Sequence, residues 1–265
     1  VIRTTSDTLF DGSVSIRQPS RESGYRVNVD AILLAAFAAR VLPGRSGFAG
    51  ASVCHVPSPA VLPRRYHHAI DLGSGVGAVG LSLLHLGAAT HVTMVEIDET
   101  LAELARENAE ANGWADRVDV VHADVTRAAR ELRARADLVV CNPPYVPPGR
   151  GREPREAVRE AKYGGLDAFV EAARTVAGRR ARACFVYPAV ELTTLLTTLR
   201  AQGLEPKRLR TVHGRAGDDA RVVLVESAPG KPGGLVVEPP FVENEGGERS
   251  RALAELLAMR RAAGS

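Results

Sequence analysis

"HAIDLGSGVGAVGLSLLHLG" spans His68 to Gly87, and its reading decides the fold. The apolar run at His68–Gly73 has strand character and stops at a glycine turn. Glycines at 73, 75 and 77 permit backbone angles closed to other residues and let a ligand approach the main chain. From Val76 the apolar residues take helical spacing, with Gly87 placed to cap the C-terminus. A strand, a tight glycine loop and a helix in that order read as a nucleotide-binding turn, a form that a plain tight turn also takes.

The pattern repeats downstream. "HVTMVEID" (His91–Asp98), "RVDVVHAD" (Arg117–Asp124), "ADLVVCN" (Ala136–Asn142) and "RACFVYP" (Arg182–Pro188) read as strands. Between them lie helical stretches such as "ETLAELARENAEANG", closed by Asn112-Gly113. "PKRLRTVHG" and "RVVLVESAP" follow closely enough to pair antiparallel. Strands alternating with helices predict an α/β fold with a doubly wound, mostly parallel sheet. Ligands of such sheets bind at the edge where the parallel strands end, which here collects Asp71, Glu96, Asp124 and Asn142.

The 265 residues are 45% hydrophobic and 25% charged, an ordinary globular composition, and the net charge of +3 is too small to indicate a partner. Local charge is more informative. Arg208, Arg210, His213, Arg215 and Arg221 form a basic cluster suited to a phosphate backbone, or simply a solvated arginine-rich face. The three cysteines, Cys54, Cys141 and Cys184, have neither disulfide-framework nor zinc spacing, so no metal is expected. Cys141 and Cys184 sit in apolar runs and read as buried thiols. Reduced thiols, and the lack of a leader-like start or an apolar run of about 20 residues, lead to the expectation of a cytoplasmic protein without a membrane partner. Oligomeric state, monomer or homodimer, is not readable.

The acids around the glycine loop narrow the ligand. Asp71, just before the loop, would repel a diphosphate and suits a cationic group. Glu96 is placed for two ribose hydroxyls, and Asp124 for an adenine amine. An adenosine end, a positive end and no phosphate describe S-adenosylmethionine.

"DLGSGVGAVGL", "VEID", "ENAEANG", "HADV" and "NPPY" together resemble the class I S-adenosylmethionine-dependent methyltransferases. The resemblance implies a Rossmann-like, seven-stranded, mostly parallel sheet whose last strand runs antiparallel. It implies that Asp71, Gly73, Ser74, Gly75 and Gly77 surround the donor's methionine and ribose, with Asp71 acting on the ammonium. Glu96 would hold the ribose, Ile97 would pack on adenine, and Asp124 with the Val125 N–H would bind the adenine edge. Asp98 is a weaker candidate, equally readable as the N-cap of the helix from Glu99.

"ADLVVCNPPYVPP" (Ala136–Pro148) carries the acceptor chemistry. A planar nitrogen is a poor nucleophile because its lone pair is delocalised. Two acceptors, the Asn142 side-chain oxygen and the Pro143 carbonyl, can draw it toward sp³, with the rings of Pro143 and Pro144 fixing that carbonyl. Tyr145 can stack on the target, and Asn142 borders the donor as well. Adenine N6, cytosine N4 and a glutamine amide all fit this motif, and a base would have to leave its stack to enter.

"SGYRVNVDAILLAAFA" (Ser23–Ala38) is similar to the segment that closes over the donor in the bacterial adenine-N6 methyltransferases acting beside the anticodon of a valine tRNA, with Tyr25, Asn28 and Asp30 as matched positions. The tail from Leu204 is also similar to that family. The resemblance thus implies an RNA substrate, a tRNA, with release-factor glutamine methyltransferase and a non-catalytic RNA-binding subunit as alternatives. The chain is read as a single domain, with a cap segment at 1–42, an irregular loop at 43–67, the catalytic core at 68–228 and a loose extension at 229–265.

Overall fold

The computed structural model describes residues 3–20, 27–43, 63–145 and 165–261. Tyr25, Cys54, most of the 43–67 loop and the arginine-rich stretch after Tyr145 lie outside the described residues.

The chain opens with a hairpin, β1 (Thr4–Leu9) and β2 (Val14–Pro19), then α1 (Val29–Ala39). The alternating core follows: β3 (Tyr66–Leu72), α2 (Ala78–His85), β4 (Ala89–Glu96), α3 (Glu99–Ala111), β5 (Val118–His122), α4 (Val125–Glu131) and β6 (Ala136–Cys141). It continues with α5 (Leu166–Val176), β7 (Ala177–Pro188), α6 (Leu192–Ala201), β8 (Leu204–Arg215) and β9 (Ala220–Pro229). The tail adds β10 (Val236–Val237), β11 (Phe241–Glu245), β12 (Glu248–Arg249) and α7 (Arg251–Leu257).

Seven core strands take the order β5-β4-β3-β6-β7-β9-β8. β9 runs antiparallel to both its neighbours, while the pairs from β5 across to β7 are parallel. This is the doubly wound arrangement expected from the strand–helix alternation. Helices cover both faces. Apolar residues of α1, α2, α3 and α7 pack on one, and those of α4, α5 and α6 on the other. α1 is apolar on all sides (VDAILLAAFAA) and buried from Asp30 onward, as a helix sealed between layers must be. Cys141 and Cys184 are free thiols within the core, as their apolar flanks predicted.

The extension is not loose. β10 and β11 both pair with β8 in parallel and β12 turns back on β11, so the sheet grows to ten strands. Its Gly/Pro content punctuates short strands instead of preventing them.

The hairpin is tied to the core by the two asparagines of "ENAEANG". Asn108 and Asn112 lie one helical turn apart on α3. Asn108 accepts from Arg17 N at 2.7 Å and donates to Arg17 O at 3.0 Å, while Asn112 accepts from Ser15 N at 2.9 Å and donates to its carbonyl at 2.8 Å. The two amides act as a substitute strand along β2. Asn108 also donates to Val76 O at 3.0 Å, joining the hairpin to the glycine loop.

Candidate active site

Chain order reverses between β3 and β6, which makes their C-terminal ends the switch point. Leu72 and Cys141 are register partners there, so the glycine loop and Asn142 leave the sheet side by side.

The loop is shaped by its neighbours. Gly73, Gly75 and Gly77 sit at φ +72°, +56° and +87°. Gly73 N and Ser74 N donate to Val95 O at 2.9 and 3.0 Å, and Gly77 N donates to Ser74 O at 2.9 Å. A Cβ at Gly73 would lie 2.8 Å from the Phe169 ring, and one at Gly77 2.8 Å from Met94 Sδ. Gly73→Ala should therefore cost about 1–3 kcal/mol from backbone strain plus ring displacement, checked by urea unfolding. A loss below about 0.5 kcal/mol would mean that the ring yields freely.

Two buried carboxylates flank the loop. Asp71, 1% exposed, accepts from Gly80 N at 3.0 Å. Burial raises its pKa to about 7, and Glu96 adds to the rise. Glu96 closes β4, its Oε2 accepting from Gly75 N at 2.8 Å and its Oε1 from Asp98 N at 2.9 Å. Burial likewise pushes Glu96 above the ordinary carboxylate range. Each Glu96 oxygen retains acceptor capacity for a hydroxyl. Ser74 Oγ is buried with no hydrogen-bond partner among the described residues. Two carboxylates held back from ionising favour a cation, and an orphaned hydroxyl favours a polar ligand. Both fit the methionine and ribose of S-adenosylmethionine.

Further along the edge the acids have local work. Asp98 caps α3, accepting from Leu101 N at 3.2 Å. Asp124 caps α4, its Oδ1 accepting from Thr126 N at 2.9 Å, from Arg127 N at 3.3 Å and from the Thr126 hydroxyl. All three donors fall on Oδ1. Val125 opens α4 and is buried, while Ile97 is half-buried beyond Glu96.

At the motif itself Asn142 is exposed, Pro143 buried, and Pro144 and Tyr145 half-buried. Tyr145 meets Tyr187 edge-on, with ring centroids 5.6 Å apart and planes at 78°. Burial and the nearby Glu191 carboxylate raise the Tyr145 hydroxyl, and the same causes raise Tyr187 to about 12. Both rings therefore stay neutral. Glu191 is itself held by the Thr194 hydroxyl at 2.8 Å, and Val190 beside it is 82% exposed. Tyr187, Val190 and Glu191 escaped the sequence reading. The signal was present: Cys141 and Phe185 are register partners, so "YP" at the end of β7 falls level with Pro143.

Asn28 caps α1, accepting from Asp30 N at 3.0 Å and donating to Asp30 Oδ2 at 2.9 Å. Asp30 takes a two-pronged bond from Arg221 at 2.6 and 3.0 Å, and Arg221 also binds Glu243 at 2.7 Å. Arg221 precedes Val222, the partner of Pro188, so α1 is fastened at the same edge as the site. Asp30 is committed to that clamp and does not stand ready for the donor.

The basic cluster of the tail does not form one exposed face. Arg208 is 6% exposed and Arg210 1%. Arg208 binds Glu226, Glu238 and Phe37 O and lies 3.9 Å over the Phe37 ring. Arg210 donates to Leu42 O and Pro43 O. Arg221 is the clamp just described, and the His213 ring contacts Thr211 and Asp218 O. Of the five, Arg215 and Arg221 are exposed, and the Arg221 guanidinium is taken up by the clamp. Alternation along β8 turned Arg208 and Arg210 into the structure, where carboxylates and carbonyls receive them.

The strand order with its reversed last strand is that of the Rossmann-like class I methyltransferases. The crystal structure of a predicted O-methyltransferase from Agrobacterium tumefaciens shares it, with a TM-score of 0.60 and 24% identity, covering 77% of this chain and 96% of that one.

Residues 59–159 match the methyltransferase small domain family. Two curated relatives are both named tRNA1(Val) (adenine(37)-N6)-methyltransferase. The protein from Enterobacter sp. strain 638 is 38% identical over 133 residues, covering 49% of this chain and 54% of that protein. That from Flavobacterium psychrophilum is 28% identical over 158 residues, covering 59% and 68%. The chain thus spans about half the length of the first.

Proposed function

We propose that this chain is an S-adenosylmethionine-dependent N-methyltransferase acting on adenine N6 in RNA, the substrate being a tRNA and the base the one beside the anticodon. The observation that carries it is the Leu72–Cys141 register, which sets the glycine loop and its buried carboxylates next to an Asn-Pro-Pro-Tyr turn whose Asn142 is exposed. The names of the relatives favour adenine over a glutamine amide.

When bound, the sulfonium supplies an activated methyl group. Asp71, Ser74 and Glu96 hold the donor's polar end, and Asp124 Oδ2 takes the adenine edge. Asn142 Oδ1 and the Pro143 carbonyl accept from the target amine, turning its lone pair toward the methyl carbon. Tyr145, steadied by Tyr187 and Glu191, stacks on the base. Positioning and aligned dipoles supply the rate enhancement, and no strong base is needed before the bond forms.

Asp71 gives this reading a pH signature. Its carboxyl ionises near pH 7 when folded, against an ordinary 3.8. A bound cation favours the carboxylate, so donor binding below pH 7 expels a proton. Affinity should rise with pH up to about 7, by as much as about tenfold per unit, then level off. The donor-free fold should lose stability over the same interval, because the folded state holds that proton more tightly than the unfolded chain. Calorimetric donor titrations from pH 5.5 to 8.5 test this. Asp71→Asn should flatten the profile, and a wild-type profile already flat would remove Asp71 from the role.

The direct test is labelled donor incubated with total tRNA, ribosomal RNA, DNA and release factor. Label in tRNA as N6-methyladenine is expected, and label in release factor alone would transfer the acceptor site to a glutamine.

A further inference from the structure

At the opposite edge of the sheet, where β6 and β7 begin, a cleft of about 470 Å³ lies between the end of α1, β7 and the β8–β9 ladder. At its floor three arginines converge on one buried carboxylate. Arg40 and Arg182 share Glu226 Oε1 at 2.9 and 3.2 Å, and Arg208 takes Oε2 at 3.0 Å. Glu238 receives the other arm of Arg208 at 3.0 Å. Lys207 Nζ donates to the carbonyls of Lys231 and Gly233, both at 2.6 Å, with the Glu205 carboxylate near enough to feel its charge. Five cationic side chains and two carboxylates line the cleft, an excess of three positive charges.

Arg40 and Arg182 are part-exposed, so their surplus positive charge faces the cleft. Here two guanidinium groups divide one oxygen, and Arg40 Nε and Arg208 Nε are buried without a hydrogen-bond partner among the described residues. These are the features of a site that lacks an anion.

A second cleft adjoins it along β7, lined by Arg135, Arg179 and Arg180 with Asp137, and all three arginines are exposed. One small anion needs one pocket, whereas two adjoining basic clefts match a polymer of repeating phosphates. Strands of six or seven residues separate this edge from the switch point by roughly 20 Å, a span that the stem of an RNA hairpin covers while its loop base is held for methylation.

We propose that these two clefts bind phosphates of the RNA backbone, remote from the reacting base. The inference rests on the RNA reading above; Arg208 stays structural at the cleft floor, and the phosphates meet the more exposed cations at the cleft mouths.

The test uses the full chain and a labelled tRNA transcript in filter binding, across a salt series and without turnover. Arg182→Gln with Lys231→Gln should weaken binding about five- to thirtyfold at moderate salt. It should flatten the slope of log affinity against log salt by roughly one to two, since each released phosphate contact contributes about 0.7–0.9. Donor affinity should hold; Arg182 also serves the buried Glu226, so this pair should lower the melting temperature somewhat. If that pair unfolds, the exposed pair Arg179→Gln with Arg180→Gln should give the same flattening. Wild-type affinity and slope in a folded variant overturn the proposal. Protection of the wild type by millimolar inorganic phosphate, lost in the variant while tRNA binding is unchanged, also overturns it in favour of a small-anion site. A chain that methylates tRNA yet ignores these substitutions keeps the function and loses this surface. One that binds tRNA through them but methylates nothing does the reverse.

Discussion

Asn142→Ala should lower turnover roughly 10²–10³-fold while leaving donor affinity within about twofold. Asn142 lies just past β6 and is exposed, while the glycine-loop bonds run among Gly73, Ser74, Gly75, Gly77, Val95 and Glu96. Its removal leaves those donor contacts in place. What disappears is one of two acceptors for the target amine, an interaction strongest when the nitrogen is becoming tetrahedral. Loss of such a bond falls on kcat. Single-turnover methylation with saturating RNA, paired with calorimetric donor binding, separates the two effects. Turnover near that of the wild type would discard the two-acceptor mechanism, and a parallel collapse of donor affinity would show that Asn142 belongs mainly to the donor pocket.

The second large effect is on stability. Arg208→Ala should destabilise the fold by about 3–5 kcal/mol, the usual consequence of leaving buried charges unpaired. Glu226 is 1% and Glu238 7% exposed. Glu226 would keep Arg40 and Arg182, but both sit on its Oε1, so Oε2 loses its cation. Phe37 loses both a bond to its carbonyl and a cation over its ring. Equilibrium urea unfolding measures the loss, and a change below about 1 kcal/mol would show that water or neighbouring arginines refill the space. The outcome separates two readings of one residue. A phosphate-binding Arg208 would affect RNA affinity and leave the unfolding midpoint alone.

Much of the site was legible because its parts are local. A strand followed by glycines must turn, and period-2 apolar runs alternating with period-3.6 runs must make a wound sheet. From that alone Asp71, Glu96, Asp124 and Asn142 fall on one edge. Asp98 shows the limit: its N-cap geometry was as readable as its site position, and the structure puts its carboxylate on Leu101 N. The asparagines of "ENAEANG" show another. Their spacing on α3 was plain, but the strand that they hold, β2, lies 91 residues away for Asn108 and 97 for Asn112.

The basic tail was misread for a similar reason. Arginines spaced two apart on a strand share a face, and sequence does not say whether that face meets water. At Arg208 and Arg210 it meets α1 and the tail strands, where Phe37, Leu42, Pro43 and Glu238 receive the guanidinium groups. Tyr187 and Glu191 were missed because only the parallel pairing of β6 with β7 brings them to Tyr145.

By itself the sequence determined the strand–helix alternation, the glycine loop, the acids at the strand ends and the proline turn after Asn142, since each depends on bonded neighbours and short-range periodicity. Tertiary structure alone decided which cations are buried and which are free, that Asp30 is clamped by Arg221, and that the tail extends the sheet. Those outcomes depend on what lies across a strand or helix from a residue, and chain topology sets that contact over separations of up to 191 residues.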